Sequence, residues 1–238
     1  MNYIEILKQG LDSLKLPYDD EKLHKFEIYT EFLLEYNQKV NLTAITEPEK
    51  IAKLHYLDSV SLLHYVNIKT SAKIVDIGSG AGFPLVPAKI IRPDLDCLLV
   101  DSLNKRVVFL EKLMERLNLT GIMACHARAE ETAADKRFRG SFDYVTVRAV
   151  AELRVLAEYA LPLLKKGGKL LALKGPKAEE ELKSAQNALK ILGADAGSII
   201  DETLPDEEFS HKITVITKTG HSPAKYPRAG AQIRKKPL

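Results

Sequence analysis

The sequence predicts an α/β protein: a mainly parallel seven-stranded sheet with helices on both faces, preceded by an N-terminal helical cap. Three observations predict it. Through about residue 70, apolar side chains recur at helical spacing. From Ser71 onward, seven strand-length apolar runs follow, at 73–78, 96–101, 121–127, 142–149, 169–175, 198–204 and 211–218. Amphipathic segments separate the first five of these runs. Such alternation puts parallel strands between two helical layers.

Each element has its own local reason. Ile4, Leu7, Leu11 and Leu14 align on a first helix that Pro17 closes. Asp19 or Asp20 caps a second, whose buried face is Leu23, Phe26, Tyr29, Leu33 and Tyr36. Thr46 and Glu49 have the spacing of a capping box with Pro48 in the first turn, opening a third helix through Ile51, Leu54, Leu57, Leu62 and Leu63. Residues 1–70 thus read as a helical cap and 71–220 as the α/β domain. Within the latter, Val107, Leu110, Met114 and Leu117 align on a helix, and Pro176 and Gly193 bracket another over 177–192. Only Pro205–Ser210 separate the last two runs, too few for a helix, so these runs form a hairpin that ends the sheet with an antiparallel strand.

Composition bounds the function classes. The 238 residues, 45% hydrophobic and 28% charged, suit one globular α/β domain with a small appendage. No apolar run approaches the ~20 residues of a membrane span. Residues 1–10 are amphipathic and carry Glu5, unlike a signal peptide. Cys97 and Cys125 offer neither a disulfide framework nor zinc spacing and read as small buried side chains; no metal is expected, and a cytoplasmic, monomeric protein is. The net charge of +3 is unevenly placed: residues 221–238 hold Lys225, Arg228, Arg234, Lys235 and Lys236 with no acid, which leaves the rest of the chain at −2. A basic tail on a near-neutral body suits contact with phosphates as well as it suits a solvated terminus.

The chemistry is concentrated after the first strand, in Ile74-Val75-Asp76-Ile77-Gly78-Ser79-Gly80-Ala81-Gly82-Phe83-Pro84. Glycines there allow a sharp turn and the close approach of a ligand to backbone. A dinucleotide fingerprint requires G-x-G-x-x-G, hence glycine at position 83, where this chain has Phe83. The spacing is instead D-x-G-x-G-x-G, built on Asp76, Gly78, Gly80 and Gly82, which resembles the class I (Rossmann-like) methyltransferases. An acid beside the turn suits a ligand with an ammonium and no pyrophosphate. Asp101, 25 residues beyond Asp76 at the end of the second strand, is placed to accept from ribose hydroxyls. In that fold Arg128-Ala129-Glu130 presents an amide and a carboxylate to the adenine.

A more specific resemblance rests on Asn41-Leu42-Thr43-Ala44-Ile45, His55-Tyr56-Leu57-Asp58-Ser59, Asp76–Pro84, Val100-Asp101-Ser102, Lys105-Arg106, Arg128-Ala129-Glu130 and Tyr226-Pro227-Arg228, in that order. From about residue 20 to the C-terminus the chain resembles the ribosomal RNA small-subunit methyltransferase G family, also called glucose-inhibited division protein B. The resemblance implies methyl transfer from S-adenosylmethionine to guanine N7 in bacterial 16S rRNA. It also implies that Gly78, Phe83, Ala129, Glu130 and Arg148 bind the cofactor. Leu85 departs from the family's glycine, and the tail is less proline-rich in its middle. With the resemblance in hand, the basic tail reads as RNA-binding.

Guanine N7 carries a lone pair and no proton, so no catalytic acid–base pair is expected; Arg148 is the one side chain considered for a direct role. His55, in the cap, reads as structural. Two other classes compete: a nicotinamide-dependent oxidoreductase, which Phe83 argues against, and a non-catalytic RNA-binding protein, which the intact Gly78, Gly80, Gly82 and Asp101 argue against.

Overall fold

A computed structural model of the chain describes residues 2–148, 150–202 and 211–238. Its centre is a seven-stranded sheet of β1 (Lys73–Ile77), β2 (Asp96–Asp101), β3 (Ile122–His126), β4 (Phe142–Arg148), β5 (Leu164–Lys174), β6 (Ser198–Glu202) and β7 (His211–Thr217). The spatial order is β3-β2-β1-β4-β5-β7-β6. Strands β1 to β5 pair in parallel, whereas β7 runs antiparallel to both β5 and β6. The expected antiparallel end is present, with β7 inserted between β5 and β6. The connection expected at Pro205–Ser210 lies outside the described residues. β5 begins five residues before its expected start, because Lys165-Lys166-Gly167-Gly168 hides a strand whose register against β4 shifts between Phe142 and Tyr144.

Alternate residues of each strand feed two different cores, as period-2 geometry requires. Ile74, Leu99, Tyr144 and Leu171 face one side. There they meet α1 (Tyr3–Ser13), α2 (Asp20–Asn37), α5 (Leu85–Ile91) and α6 (Asn104–Arg116). Val75, Leu98, Val145 and Leu170 face α7 (Ala129–Ala134), α8 (Leu153–Ala160) and α9 (Ala178–Leu192) on the other side. The N-terminal helices therefore share a continuous core with the sheet: Leu7, Leu11, Phe26 and Leu33 are 0% exposed within it. Asp19 caps α2 by accepting from the Lys22 amide at 2.8 Å. Cys97 is buried, which pushes its thiol up to about 12 and leaves it unreactive.

The third helical stretch differs from expectation. It runs as α3 (Pro48–Ile51), a π-helical turn over Ala52–Leu57, then α4 (Asp58–Tyr65). The Thr46–Glu49 capping box does not form; Glu47 occupies the N-cap without a side-chain bond, and Pro48 fills the first turn. The π turn carries His55 and delivers Asp58 to the edge where β4 and β5 end. Such turns widen the helix locally and are frequent at functional sites. Nothing in the apolar periodicity distinguishes them from an α-helix.

The tail folds back. After Tyr226, which is buried, comes the helix α10 (Gly230–Lys235), whose Ile233 is 0% exposed in the core with α8 and α9. Arg139 fastens it, donating to the carbonyls of Tyr226 at 2.7 Å and Ser222 at 3.0 Å.

Candidate functional site

The carboxyl-end edge of a parallel sheet is where open α/β folds place ligands, and three cavities adjoin there. The glycine turn joins two of them. Gly78 has φ +73°, and a Cβ there would meet Val150 Cγ2 at 2.7 Å, so only glycine leaves the turn unstrained. Gly78, Gly80 and Phe83 line a cavity of about 180 Å³ with Thr43, His55, Arg106 and Arg148. Gly78 also lines a cavity of about 140 Å³ with Ser102, Ala129, Glu130, Tyr159 and Arg234. The third, about 610 Å³, is walled by His55, Asp58, Arg148, Val150, Lys174 and Glu181 among others. Gly82 turns under the loop, where the Tyr29 hydroxyl from α2 donates to the Ala81 carbonyl at 2.5 Å.

The acids lie differently from the sequence expectation. Asp76 is 0% exposed, beneath the turn rather than in a cavity wall. Its Oδ1 accepts from Thr146 Oγ1 at 2.7 Å, while Oδ2 is buried without a hydrogen-bond partner. Burial raises its pKa to about 7 against the opposing hydrogen bonds. Asp101 is 3% exposed; its oxygens accept from the Gly80 amide at 2.8 Å and the Leu103 amide at 2.9 Å, with Arg106 at 3.6 Å. Expected at a ribose, it ties the glycine turn to the loop after β2. The residue of that loop in the cavity wall is Ser102.

Arg148 ends β4 between the 180 and 610 Å³ cavities. Its Nη1 donates to Asp58 Oδ2 at 2.7 Å, Nη2 to His55 Nδ1 at 2.9 Å, and the guanidinium lies over the Phe83 ring at 4.9 Å. Arginine can only donate, so His55 Nδ1 is the acceptor and Nε2 carries the proton toward Thr43 Oγ1 at 2.8 Å. Burial and then the Arg148 charge lower the His55 pKa to about 4, so the ring is neutral at pH 7. It stacks on Phe83 at 4.4 Å. His55 is thus a wall of the site as well as a cap residue.

Asp58 is the node of this network. Besides Arg148 it meets His211 Nδ1 at 2.7 Å from the start of β7. Burial alone would raise its pKa, but His211 and Arg148 outweigh burial and hold it below the usual value. Asp58, Glu202 and His211 place ligand atoms within 4.8 Å of one another, a geometry that could hold a cation. Asp58 is already bonded to Arg148 and His211, and Glu202 accepts from Ser61 at 2.6 Å. Lys174, Glu181 and His211 carry little signal in the sequence: Lys174 closes a strand at the carboxyl-end edge of the sheet, while Glu181 and His211 come together with it only through folding.

The tail brings the largest revision. Arg228 is expected at a phosphate, yet its guanidinium grips Glu158, which is 0% exposed, at 2.6 and 2.9 Å, and so it anchors the tail. Gly230 abuts Glu130, and Arg234 lines the 140 Å³ cavity. Lys225, Lys235 and Lys236 remain exposed. Removing residues 225–238 is therefore expected to weaken ligand binding in that cavity as well as RNA binding. Calorimetric titration of the truncated protein with S-adenosylmethionine checks this, and unchanged affinity would separate tail from cavity.

Comparisons with known proteins bear on the whole chain. Residues 22–208 match the profile of the family described as rRNA small subunit methyltransferase G. A ribosomal RNA small subunit methyltransferase G from Lachnoclostridium phytofermentans is 46% identical, covering 97% of this chain and 95% of that one. Another from Clostridium novyi is 40% identical, covering 99% and 97%. A solved SAM-dependent methyltransferase from Aquifex aeolicus shares the fold, with TM-score 0.56 at 14% identity over 74% of this chain and 97% of that one.

Proposed function

The chain belongs to the rRNA small subunit methyltransferase G family, and from that premise we propose that it methylates N7 of a guanine in 16S rRNA. It is an S-adenosylmethionine-dependent rRNA methyltransferase; the target atom and the roles of individual residues are the proposal. The observation that carries the site assignment is the pair of cavities meeting at Gly78, one beside Glu130 and Ala129, the other beside Phe83 and Arg148. The donor set fits the cofactor. The buried, unpaired Asp76 Oδ2 under the turn favours a positively charged ligand above it, and Arg148 offers a partner for a carboxylate.

When bound, S-adenosylmethionine supplies an electrophilic methyl group. The chain's residues do the rest by placement. Glu130 and the Ala129 amide hold the adenosyl end, Ser102, whose loop Asp101 ties down, frames the ribose side, and Phe83 and Arg148 frame the amino-acid end. The guanine enters the 610 Å³ cavity, where Lys174 and Arg148 are near enough to its rim to favour the O6 edge beside N7. N7 needs no base, and the neutral His55, with Nδ1 occupied by Arg148, has none to offer. Alignment of reacting atoms supplies up to ~7–11 kcal/mol in favourable cases. In this reading residues 1–70 roof the site, 71–220 carry it, and Lys225, Arg234, Lys235 and Lys236 meet phosphates, so affinity falls with salt. A hidden N7 in a deep A-form groove would be unreachable, which favours a loop or an unfolded segment as substrate.

The direct test incubates the protein with S-adenosylmethionine and small-subunit RNA, free or in particles from cells lacking the enzyme, followed by nucleoside mass spectrometry. 7-Methylguanosine confined to one 16S fragment is the expected product. Any other methylated nucleoside sinks the N7 assignment.

A pH dependence follows from Asp76. Its carboxyl stays half protonated near pH 7 in the free protein, and a cationic ligand above it favours the ionised form. Binding then releases a proton, so affinity rises with pH, by up to about tenfold per unit below pH 7, and levels off above. Asp76→Asn is expected to weaken binding at pH 8 and flatten the profile. A wild-type profile already flat from pH 5.5 to 8 would show that Asp76 does not sense the cofactor.

A further inference from the structure

A second basic cavity lies at the opposite edge of the sheet. It holds about 280 Å³ between the start of β5 and the residues following β7, and its wall includes Arg139, Lys165, Lys166, Lys218, His221 and Ser222. Among the described residues no carboxylate lines it. Lys165 is paired with Asp143 at 3.1 Å just outside.

Two of the cations are satisfied only by neutral groups. Lys218 is 4% exposed, and its Nζ donates to the Leu192 carbonyl and the Ser222 hydroxyl. Those bonds use two of its three N–H donors, and among the described residues it has no ion-pair partner. Arg139 donates to the carbonyls of Ala133, Ser222, Pro223 and Tyr226, again without a carboxylate. A buried charge lacking a counter-charge is costly to hold. Burial, and then the neighbouring Arg139, accordingly lower the Lys218 pKa to about 8. Lys166 is exposed at the mouth, without an ion pair among the described residues.

We propose that this cavity is an anion site that takes a phosphate group, with Lys218, Arg139 and Lys166 as its cations. The third N–H of Lys218 and the exposed Lys166 ammonium, with the Arg139 charge beside them, suit a phosphate, whose oxygens can be approached from several sides, better than a planar carboxylate. The abundant phosphate for an RNA-modifying protein is the RNA backbone itself, a choice of source that rests on the rRNA reading above. Strand β5 connects the two places, beginning at Leu164 in this cavity and ending at Lys174 in the 610 Å³ one. Its paired stretch Lys169–Lys174 alone spans roughly 17 Å. A phosphate held here is thus remote from the methylated base, a second handle for an RNA that wraps the edge of the sheet.

The test has two arms, both on the full-length protein. In the first, inorganic phosphate is titrated and amide NMR shifts of Gly140, Gly167 and Gly220 are followed. Saturable binding is expected, lost in Lys218→Met and weakened at least about fivefold in Lys166→Glu. The exposed Lys166 keeps the test alive should Lys218→Met fold poorly. In the second arm, small-subunit RNA is bound over a range of salt. Both variants are expected to weaken affinity roughly three- to tenfold near 100 mM salt and to reduce the slope of log affinity against log salt by about 1, with S-adenosylmethionine affinity unchanged. Saturable phosphate binding with unaltered RNA affinity would keep the anion site and assign it to free phosphate. No saturable phosphate binding together with unaltered RNA affinity would overturn the proposal and leave Lys218 as a clamp on the end of α9. The phosphate arm does not depend on methylation, so failure of the rRNA assignment remains distinguishable from failure of this site.

Discussion

Asp58→Ala is expected to cost about 3–5 kcal/mol in stability and at least ~10²-fold in methyl-transfer rate, the largest effect of any single change outside the glycine turn. The carboxylate is 4% exposed and holds Arg148 at 2.7 Å and His211 at 2.7 Å. Removing it leaves the guanidinium, whose side chain is 17% exposed, without its counter-charge. An uncompensated charge in such a place is worse than no pair at all. The catalytic loss has a separate origin. Arg148 faces two cavities and lies on Phe83, and its position is set by Asp58, the Leu54 carbonyl and His55. With Asp58 gone the guanidinium is free to shift, and misplacement by about 1 Å is enough for a loss of that size. Asp58→Asn keeps the shape and one acceptor, so it is expected to recover much of the stability and less of the rate. Denaturant unfolding and single-turnover methylation measure the two quantities. A folded Asp58→Ala protein with normal turnover would remove Arg148 from the site.

Gly230→Ala is expected to lower affinity for S-adenosylmethionine by tenfold or more while changing stability by less than about 1 kcal/mol. A Cβ at this position would lie 2.0 Å from Glu130 Oε1, far inside contact distance. Gly230 is not among the residues with positive φ, so alanine has no backbone penalty there and improves helix propensity. The effect must then come through the displaced Glu130 carboxylate. Calorimetric titration of Gly230→Ala, Glu130→Ala and the double variant separates the causes. If displacement is the route, Gly230→Ala adds little once Glu130 is gone. Full additivity would mean that the tail acts on the cofactor by another path, and unchanged affinity would take Glu130 out of the binding site.

The same two cases show which parts of the site can be read from residues in order. Asp76, Gly78, Gly80, Gly82 and Phe83 are local: one strand and its turn bring them together, and the glycine spacing alone sets them apart from a dinucleotide fingerprint. Ala129, Glu130 and Arg148 follow once the fold is known, because Arg148 ends β4 and Ala129 and Glu130 open the helix that follows β3. Asp58, His211 and Gly230 do not follow. Asp58 reads as an acid in a helix, and only the π turn before it aims it at β4. His211 reads as the first residue of an edge strand, yet the insertion of β7 beside β5 sets it against a residue 153 positions away. Arg228 reads as a basic tail residue until Glu158 is seen beneath it.

The seven strands, the helical layers, the antiparallel end and the glycine turn are legible in the order of residues. These depend on hydrophobic period and on backbone conformations that a few neighbouring residues dictate. What each charged side chain does is set by the partners that folding brings to it. Asp76 went beneath the turn, Asp101 onto backbone amides, Arg228 into a core ion pair and the tail against Glu130. The reason is physical: an apolar residue needs only to be buried, and almost any packed partner serves. A charge is tolerated inside the protein only beside a particular counter-charge or donor, and in this chain those partners are commonly tens of residues away.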